Sequence, residues 1–82
     1  MKPKRADIVP GAVLSVRPGH ELQLDPHLLL SGRTRIMASG GVIHVIDKPR
    51  RDKDGINLVK VKVGASGEYE CFYCDVLNHC EV

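Results

Sequence analysis

The side chains best suited to chemistry are three cysteines and a histidine that lie close together along the chain: Cys71, Cys74, His79 and Cys80. Thiolate sulfur and imidazole nitrogen are the ligands that tetrahedral zinc prefers, so a zinc-stabilised module is one interpretation. Against it, cysteines three residues apart in an extended strand project to opposite faces, and the adjacent His79 and Cys80 are poorly placed to ligate one ion together. We expect no metal or other cofactor, with these four residues as the candidates if zinc is bound.

The same cysteines have simpler interpretations. Cys71 or Cys74 would be a small core residue and Cys80 a terminal thiol. The cysteine count of three is odd, which argues against a disulfide framework and favours reduced thiols in a cytoplasm. A cysteine nucleophile would need a histidine base nearby, and the spacing of the histidines indicates no such pair. The sequence also contains no serine-centred elbow, phosphate-cradling glycine loop or paired-carboxylate motif, so we expect a protein that is not an enzyme.

Basic side chains form the second candidate site, in a charged connector at 47–55 and on two predicted strands. The candidate binding residues are Lys48, Arg50, Arg51 and Lys53 in the connector, and Arg33, Arg35, Lys60 and Lys62 on the strands. Guanidinium forks and ammonium charges suit phosphate oxygens, and a protruding hairpin can enter a groove of nucleic acid. The aspartates of the connector oppose this, because carboxylates repel a polyanion and pair with arginines. An ordinary solvated turn also explains the connector.

The cations on the strands have two interpretations. If the strand with Arg33 and Arg35 lies beside the strand with Lys60 and Lys62, the four charges form one basic face. Charged side chains on exposed strands also prevent edge-to-edge pairing, which is a sufficient explanation by itself. Single-strand binding by base stacking would need exposed aromatic rings amid the positive charge. Because the chain has two Tyr, one Phe and no Trp, we favour a protein partner over nucleic acid.

Size and composition limit the class of protein. Eighty-two residues make one small domain, which buries only ~60–65% of its unfolded surface. A net charge of +2 is too small to indicate a nucleic-acid binder, and no apolar run approaches the ~20 residues of a membrane span. Residues 1–7 are basic and contain proline, which predicts a flexible tail ahead of a single β domain at 8–82. These residues do not resemble a secretory signal, so we expect a cytoplasmic location.

A central hairpin must position these candidates. Residues 42–46 are apolar apart from one histidine, and in 56–63 three valines alternate with two lysines: Val59, Lys60, Val61, Lys62 and Val63. Alternation with a period of two places every other side chain on one face of a strand. We therefore predict a long antiparallel hairpin with its valines inward, its lysines outward and the connector 47–55 at its tip.

Other segments carry strand and turn signals. We predict strands at 12–17, 21–25, 33–39 and 68–77, with a last strand or a turn at 78–82. Pro18-Gly19 predicts a turn that joins the first two strands as a hairpin, and Gly40-Gly41 predicts a tight turn or a bend where the sheet changes direction. Residues 25–32 fit one helical turn, although their leucines equally fit a buried strand.

Together these patterns predict an all-β fold of five to six short strands, with room for one helical turn. The architectures that fit are a small SH3-like barrel, an OB-like barrel as second choice, and a rolled antiparallel sheet. The function that fits is a small binding module, a regulator or inhibitor that docks on a larger protein, comparable in size to proteins carried by phages and mobile elements. The alternative is a nucleic-acid-binding barrel that uses the same residues. Either would act as a monomer or a homodimer.

Overall fold

The structure, a computed structural model, describes residues 1–26 and 34–82. Within these residues the chain forms eight β-strands and one α-helix, with 3-10 turns at Arg5–Asp7 and Gly64–Ser66. Helix α1 (Tyr73–His79) lies between the last two strands. The strands are β1 (Val13–Val16), β2 (Leu22–Leu24), β3 (Arg35–Met37), β4 (Val42–Val45), β5 (Arg50–Arg51), β6 (Asn57–Lys62), β7 (Glu68–Phe72) and β8 (Cys80–Glu81). No helix in this part of the chain is long and apolar enough to cross a membrane.

Six of the strands form one antiparallel sheet around β6. Five of them follow the order β5-β6-β4-β1-β8, while β7 also pairs with β6, and β2 and β3 form a separate two-stranded sheet. One edge of β6 is shared by β4 and β5 in succession, and its other edge pairs with β7. The predicted all-β antiparallel class is confirmed. The six-stranded sheet does not close, so of the predicted architectures the antiparallel sheet is found and the barrel is not.

The central hairpin is present, with a shorter tip than the sequence predicted. β4 and β5 form one arm and β6 forms the other, and a hydrogen bond from Ile46 N to Lys60 O (2.9 Å) continues the ladder between β4 and β5. Asp52 ends this arm, because its Oδ1 accepts the backbone N–H groups of Asp54 and Ile56, each at 2.9 Å. The two arginines before this turn therefore pair in β5, and the tip comprises only residues 52–55.

The core lies against one face of the six-stranded sheet, which we call the inner face. Ile43, Val59 and Val61 are fully buried there, whereas Lys62 is exposed on the opposite, outer face. The alternation predicted for β6 is therefore confirmed for these residues. The rest of the same buried cluster is Ile8, Leu14, Val16, Leu22, Leu24, Val45, Cys71, Val76 and Cys80. Each large aliphatic side chain buried in this way contributes ~1.5–3 kcal/mol, so this face supplies most of the favourable free energy of folding.

The predicted hairpin between the first two strands is not formed. β1 and β2 lie where the sequence placed them, but β1 pairs with β4 and β8, and β2 pairs with β3. Because both edges of β1 are occupied, the chain leaves the sheet after the turn at Gly19 (φ +79°). It returns through a second turn at Gly40 (φ +83°), which leads into β4 as the glycine pair predicted.

The predicted strand at 68–77 is wrong beyond Phe72, where β7 ends and α1 begins. The helix turns Val76 into the core, fully buried, while Tyr73 and Leu77 pack against the cluster as partly buried side chains. Residues spaced by three and four positions share one face of a helix, so this local packing outweighs the strand pattern of the preceding residues. The last segment forms β8, one of the two alternatives predicted for it.

Two predictions about local structure remain predictions. The helical turn at 25–32 falls mostly on residues 27–33, outside the described residues. The flexibility of residues 1–7 is also untested, although this segment contacts the end of the chain: the N–H of Val82 donates to Met1 O (3.1 Å), and the Met1 ammonium lies 3.6 Å from a Glu81 carboxylate oxygen.

Candidate functional site

An apolar groove lies beside the hairpin tip, and we call it the tip groove. It has a volume of about 470 Å³. Its lining residues are Arg5, Ile56, Asn57, Phe72, Tyr73, Cys74 and Leu77. The first 3-10 turn supplies the arginine, the start of β6 supplies Ile56 and Asn57, and the junction of β7 with α1 supplies the remainder. Ile56 is 39% exposed and the three large apolar side chains of the junction are half-buried, so apolar surface is accessible at this point of the molecule.

Mixed charge surrounds the tip next to this groove. Arg51, Lys53 and Asp54 are exposed in the tip or directly beside it, and Asp47 and Lys48 are exposed in the segment between β4 and β5. The Arg51 Nε atom lies 3.4 Å from Asn57 Oδ1, which brings the guanidinium to the rim of the tip groove. In the described residues, none of these three cations forms a salt bridge. The tip therefore offers cations and carboxylates side by side next to an apolar surface.

Arg50, in contrast, is held by a carboxylate of the same sheet. Its Nε and Nη2 atoms donate to the two carboxylate oxygens of Glu70 at 2.9 and 2.8 Å, a bidentate ion pair that spans β5, β6 and β7. Glu70 is itself anchored at its main chain, since its N–H donates to Asp25 Oδ1 and its carbonyl accepts the Asp25 N–H, both at 2.7 Å. The predicted role of Arg50 as a free contact for a ligand competes with this pair.

The lysines predicted to form a basic face lie on the outer face of β6, and each has a carboxylate directly opposite. Lys60 faces Glu70 and Lys62 faces Glu68 in the β6–β7 register. Side chains directly opposite on neighbouring strands interact, and opposite charges there stabilise the pair. The outer face therefore carries alternating charge near β7 instead of a uniform positive patch.

The remaining strand cations do not join this face. Arg35 is exposed on β3, which pairs with β2 in the two-stranded sheet, so it does not lie beside Lys60 and Lys62 in one ladder. Arg33 lies outside the described residues. The basic face of four charges, which depended on neighbouring strands, is not built by the described part of the sheet.

The cysteine cluster is divided between environments. Cys71 and Cys80 are fully buried on the inner face, while Cys74 is exposed in the first turn of α1 and lines the tip groove. His79 points into a different cavity, on the side of the β1–β2 turn. Across residues 1–26 and 34–82, no three His, Cys, Asp or Glu side chains are grouped as metal ligands, so the predicted zinc candidates are not brought together.

Burial also sets the chemistry of the two inner cysteines. Desolvation, followed by the nearby charges of Cys80 and Asp25, raises the pKa of Cys71 to about 12, and desolvation with the charge of Asp75 raises the pKa of Cys80 to about 11. A thiol is nucleophilic and binds metal as the thiolate, so both side chains are inert at neutral pH. They are core residues in this fold, one of the simpler roles predicted for Cys71.

Two histidines that are far apart in the sequence meet at the opposite end of α1. The Nδ1 atoms of His20 and His79 lie 3.0 Å apart, with ring centroids separated by 5.3 Å. They line a cavity of about 510 Å³ together with Gly19, Glu21, Gln23 and Asp75. Desolvation, reinforced by the charges of Arg17, His79 and Lys2, lowers the pKa of His20 below its usual 6.5. One Nδ1 atom must carry a proton for the other to accept it.

Sequence reasoning missed both the tip groove and the histidine pair. A signal for the groove was present, because Tyr73, Val76 and Leu77 have helical spacing, and a helix here brings Leu77 back beside β6. The histidine pair had no local signal, since its members are 59 residues apart and meet only through the pairing of β8 with β1.

Comparisons with known proteins add no family to this description. The chain matches no protein-family model, no curated protein and no solved structure.

Proposed function

We propose that this chain is a non-enzymatic binding module that docks on a larger protein through the hairpin tip and the tip groove, and thereby regulates or inhibits that protein. The observation that carries the proposal is the position of the tip groove next to the exposed, mixed-charge tip. An apolar centre with a polar rim is the usual anatomy of a protein-binding surface. The tip groove supplies the centre, Arg51 and Lys53 supply the rim, and Lys48 adds a further exposed cation on the same arm of the hairpin.

The charges define the occupant that we propose. Arg5 lines the tip groove and Arg51 reaches its rim, and neither forms a salt bridge within the described residues. Arginine at an interface favours a carboxylate that it can bind with two hydrogen bonds. We therefore propose that the groove takes a segment of the partner with one apolar side chain flanked by an acidic residue.

A protein partner fits this surface better than nucleic acid. Phosphate binding requires cations that are free to neutralise a polyanion. Arg50 is already paired with Glu70, and Lys60 and Lys62 have carboxylates opposite them. Asp47 and Asp54 would also repel phosphates at the tip. Nucleic acid and a second copy of this chain are therefore outcomes that the test must separate from a protein partner.

The test is site-specific photo-crosslinking in a lysate of the source cells, followed by binding of the purified partner. A benzophenone side chain replaces Ile56 in the tip groove and, in a matched control, replaces Ile36, which is 61% exposed on the separate two-stranded sheet. We expect one protein to crosslink at Ile56 and not at Ile36. We also expect Ile56→Ser to weaken binding of that purified protein, while Ile36→Ser leaves its Kd unchanged.

Three results would contradict the proposal. Equal crosslinking at both positions would place the contact elsewhere, and crosslinking only between copies of the chain would make the groove a homodimer interface. Crosslinks to nucleic acid, with an affinity that falls steeply and linearly in log[salt], would support the phosphate-binding alternative.

A further inference from the structure

The His20–His79 pair places two nitrogen ligands at a separation that one metal ion can bridge. Their Nδ1 atoms face each other at 3.0 Å across a part-buried site. Because this is hydrogen-bond distance, one ring donates its N–H to the lone pair of the other in the metal-free protein. When both rings carry their proton on Nε2 instead, both Nδ1 lone pairs are free to bind one metal ion beside the line that joins them, and neutral imidazole is the commonest protein ligand for one.

We propose that His20 and His79 chelate a divalent transition-metal ion through their two Nδ1 atoms. At a metal–nitrogen distance of ~2.0–2.1 Å, two nitrogens about 3 Å apart subtend an angle of about 90° at the ion. That is the angle between neighbouring ligands in square-planar or octahedral coordination, the geometries of Cu²⁺ and Ni²⁺ with nitrogen and oxygen ligands. Tetrahedral zinc requires a wider angle, so the site favours the first two ions.

Backbone contacts fix the two segments that carry the imidazoles before any ion arrives. The turn that carries His20 is fixed to Ser39, whose hydroxyl donates to His20 O and accepts the Gly19 N–H, both at 3.0 Å. The same turn is fixed to the end of α1, because the Arg17 N–H donates to His79 O at 2.8 Å. A site whose ligands are positioned in advance loses less conformational entropy when the ion binds.

The charges around the pair are mixed. The carboxylates of Glu21 and Asp75 line the same cavity and favour a cation, whereas Arg17 and Lys2 act on His20 with positive charge and oppose one. The Arg17 guanidinium is directed to the Asn78 carbonyl, to which Nη1 donates at 3.1 Å. The described residues supply no third protein ligand, so water fills the remaining coordination positions and the ion stays accessible to an outside ligand.

The test is a calorimetric titration with Ni²⁺, in a Cys74→Ser background that removes the exposed thiol. We expect one ion per chain. His20→Gln and His79→Gln should each weaken binding by roughly tenfold or more, since loss of a ligand costs at least as much as loss of an outer-shell partner, which costs ~10–100-fold. The control His44→Gln removes an exposed imidazole on the outer face and should leave the affinity unchanged.

Circular dichroism of each variant separates loss of a ligand from loss of the fold. If His79→Gln unfolds the end of α1, the test rests on the Ni²⁺ affinity of His20→Gln, a substitution in a surface turn. The proposal is overturned if the parent protein binds no Ni²⁺ below millimolar concentration, or if folded His20→Gln binds as tightly as its parent. Equal losses in His44→Gln and His20→Gln would likewise overturn it.

Discussion

The two faces of the six-stranded sheet are built from alternate residues of the same strands and have opposite properties. On β4, Ile43 is fully buried on the inner face, while its neighbour Val42 is 46% exposed on the outer face. On β6, Val61 is fully buried, while Lys62 is exposed opposite Glu68. In the described residues, the inner face is apolar except at its end near the tip, where Arg51 and Asn57 pair, and the outer face combines charges of both signs with apolar side chains, of which Leu58 is buried.

This difference indicates that the inner face stabilises the fold and that recognition uses other surfaces. Burial on the inner face supplies most of the favourable free energy, because transfer of aliphatic side chains out of water dominates folding. The ion pairs of the outer face add little, since exposed pairs contribute only ~0.2–1 kcal/mol each, and the larger contribution on this face comes from burial of Leu58. Most of its charges are opposed within the sheet, and the accessible apolar surface next to unpaired cations is found at the tip groove, at one end of β6.

The largest effect on stability is expected from a charge placed on the inner face. Val61→Asp buries a carboxylate in the central strand, where no cation lies opposite, and should abolish folding. The matched control is Lys62→Asn, one residue along on the outer face, which should keep native circular dichroism. A Val61→Asp protein that melts like its parent would show that the inner face is not the core.

A substitution that leaves a cavity in the core should have a smaller effect on stability than a buried charge. Ile43→Ala should lower the free energy of unfolding by ~2–5 kcal/mol, through lost transfer energy and the space left behind. Val42→Ala, its neighbour on the outer face, should change stability by no more than ~0.5 kcal/mol. Urea unfolding of the two variants measures the difference, and equal losses would contradict the assignment of the faces.

The ion pair between Arg50 and Glu70 tests the outer face. A double-mutant cycle with Arg50→Ala and Glu70→Gln should give a coupling free energy of ~0.5–1 kcal/mol, the upper part of the range for exposed pairs, because the Arg50 side chain is 54% exposed and the Glu70 side chain 17%. The coupling should shrink at high salt, as screening of an exposed pair requires. A coupling above this range that does not change with salt would mean that the outer face also contributes to the stability of the fold.

The smallest expected effect concerns pH. The pKa of His20 is lowered in the folded state, so the unfolded chain binds more protons as the pH falls below the ordinary histidine range. The contribution of His20 to stability is therefore full above the unfolded pKa near 6.5 and is lost as the pH falls through the lowered folded pKa. NMR titration of the ring should give a midpoint below that of an unstructured histidine, and a midpoint above it would contradict the contacts described for the pair.

The sequence predicted structural features that depend on neighbouring residues better than features that depend on residues far apart in the chain. The alternation of Val59 to Lys62 is a local signal, and it correctly predicted the strand, the burial of its valines and the hairpin, although Leu58 is also buried, on the side of the lysines. The same kind of signal gave a wrong prediction from Tyr73 onward. Residues 68–72 alternate as in a strand, and the alternation extends into residues that also have helical spacing. Local periodicity alone does not choose between two compatible patterns; burial of Val76 in a core formed by distant strands does.

Strand pairing and the positions of the site residues depend on distant parts of the chain, so the sequence predicted them less well. A turn at Pro18-Gly19 predicts that the chain reverses, but not that β4 and β8 occupy both edges of β1. The contact between His20 and His79 follows from that long-range strand pairing, so no local motif predicts it. The charge of Arg50 was visible in the sequence, whereas its partner, 20 residues away, was not.

The inner face of the sheet is closed to water, and the three cysteines test this directly because two are buried against it and the third is exposed on α1. Alkylation of the native protein with iodoacetamide, followed by peptide mass spectrometry, measures each thiol. We expect rapid modification of Cys74 alone, with Cys71 and Cys80 protected until denaturant exposes them, because burial keeps both as unreactive thiols. Modification of Cys71 or Cys80 in the native protein at the rate of Cys74 would contradict the account.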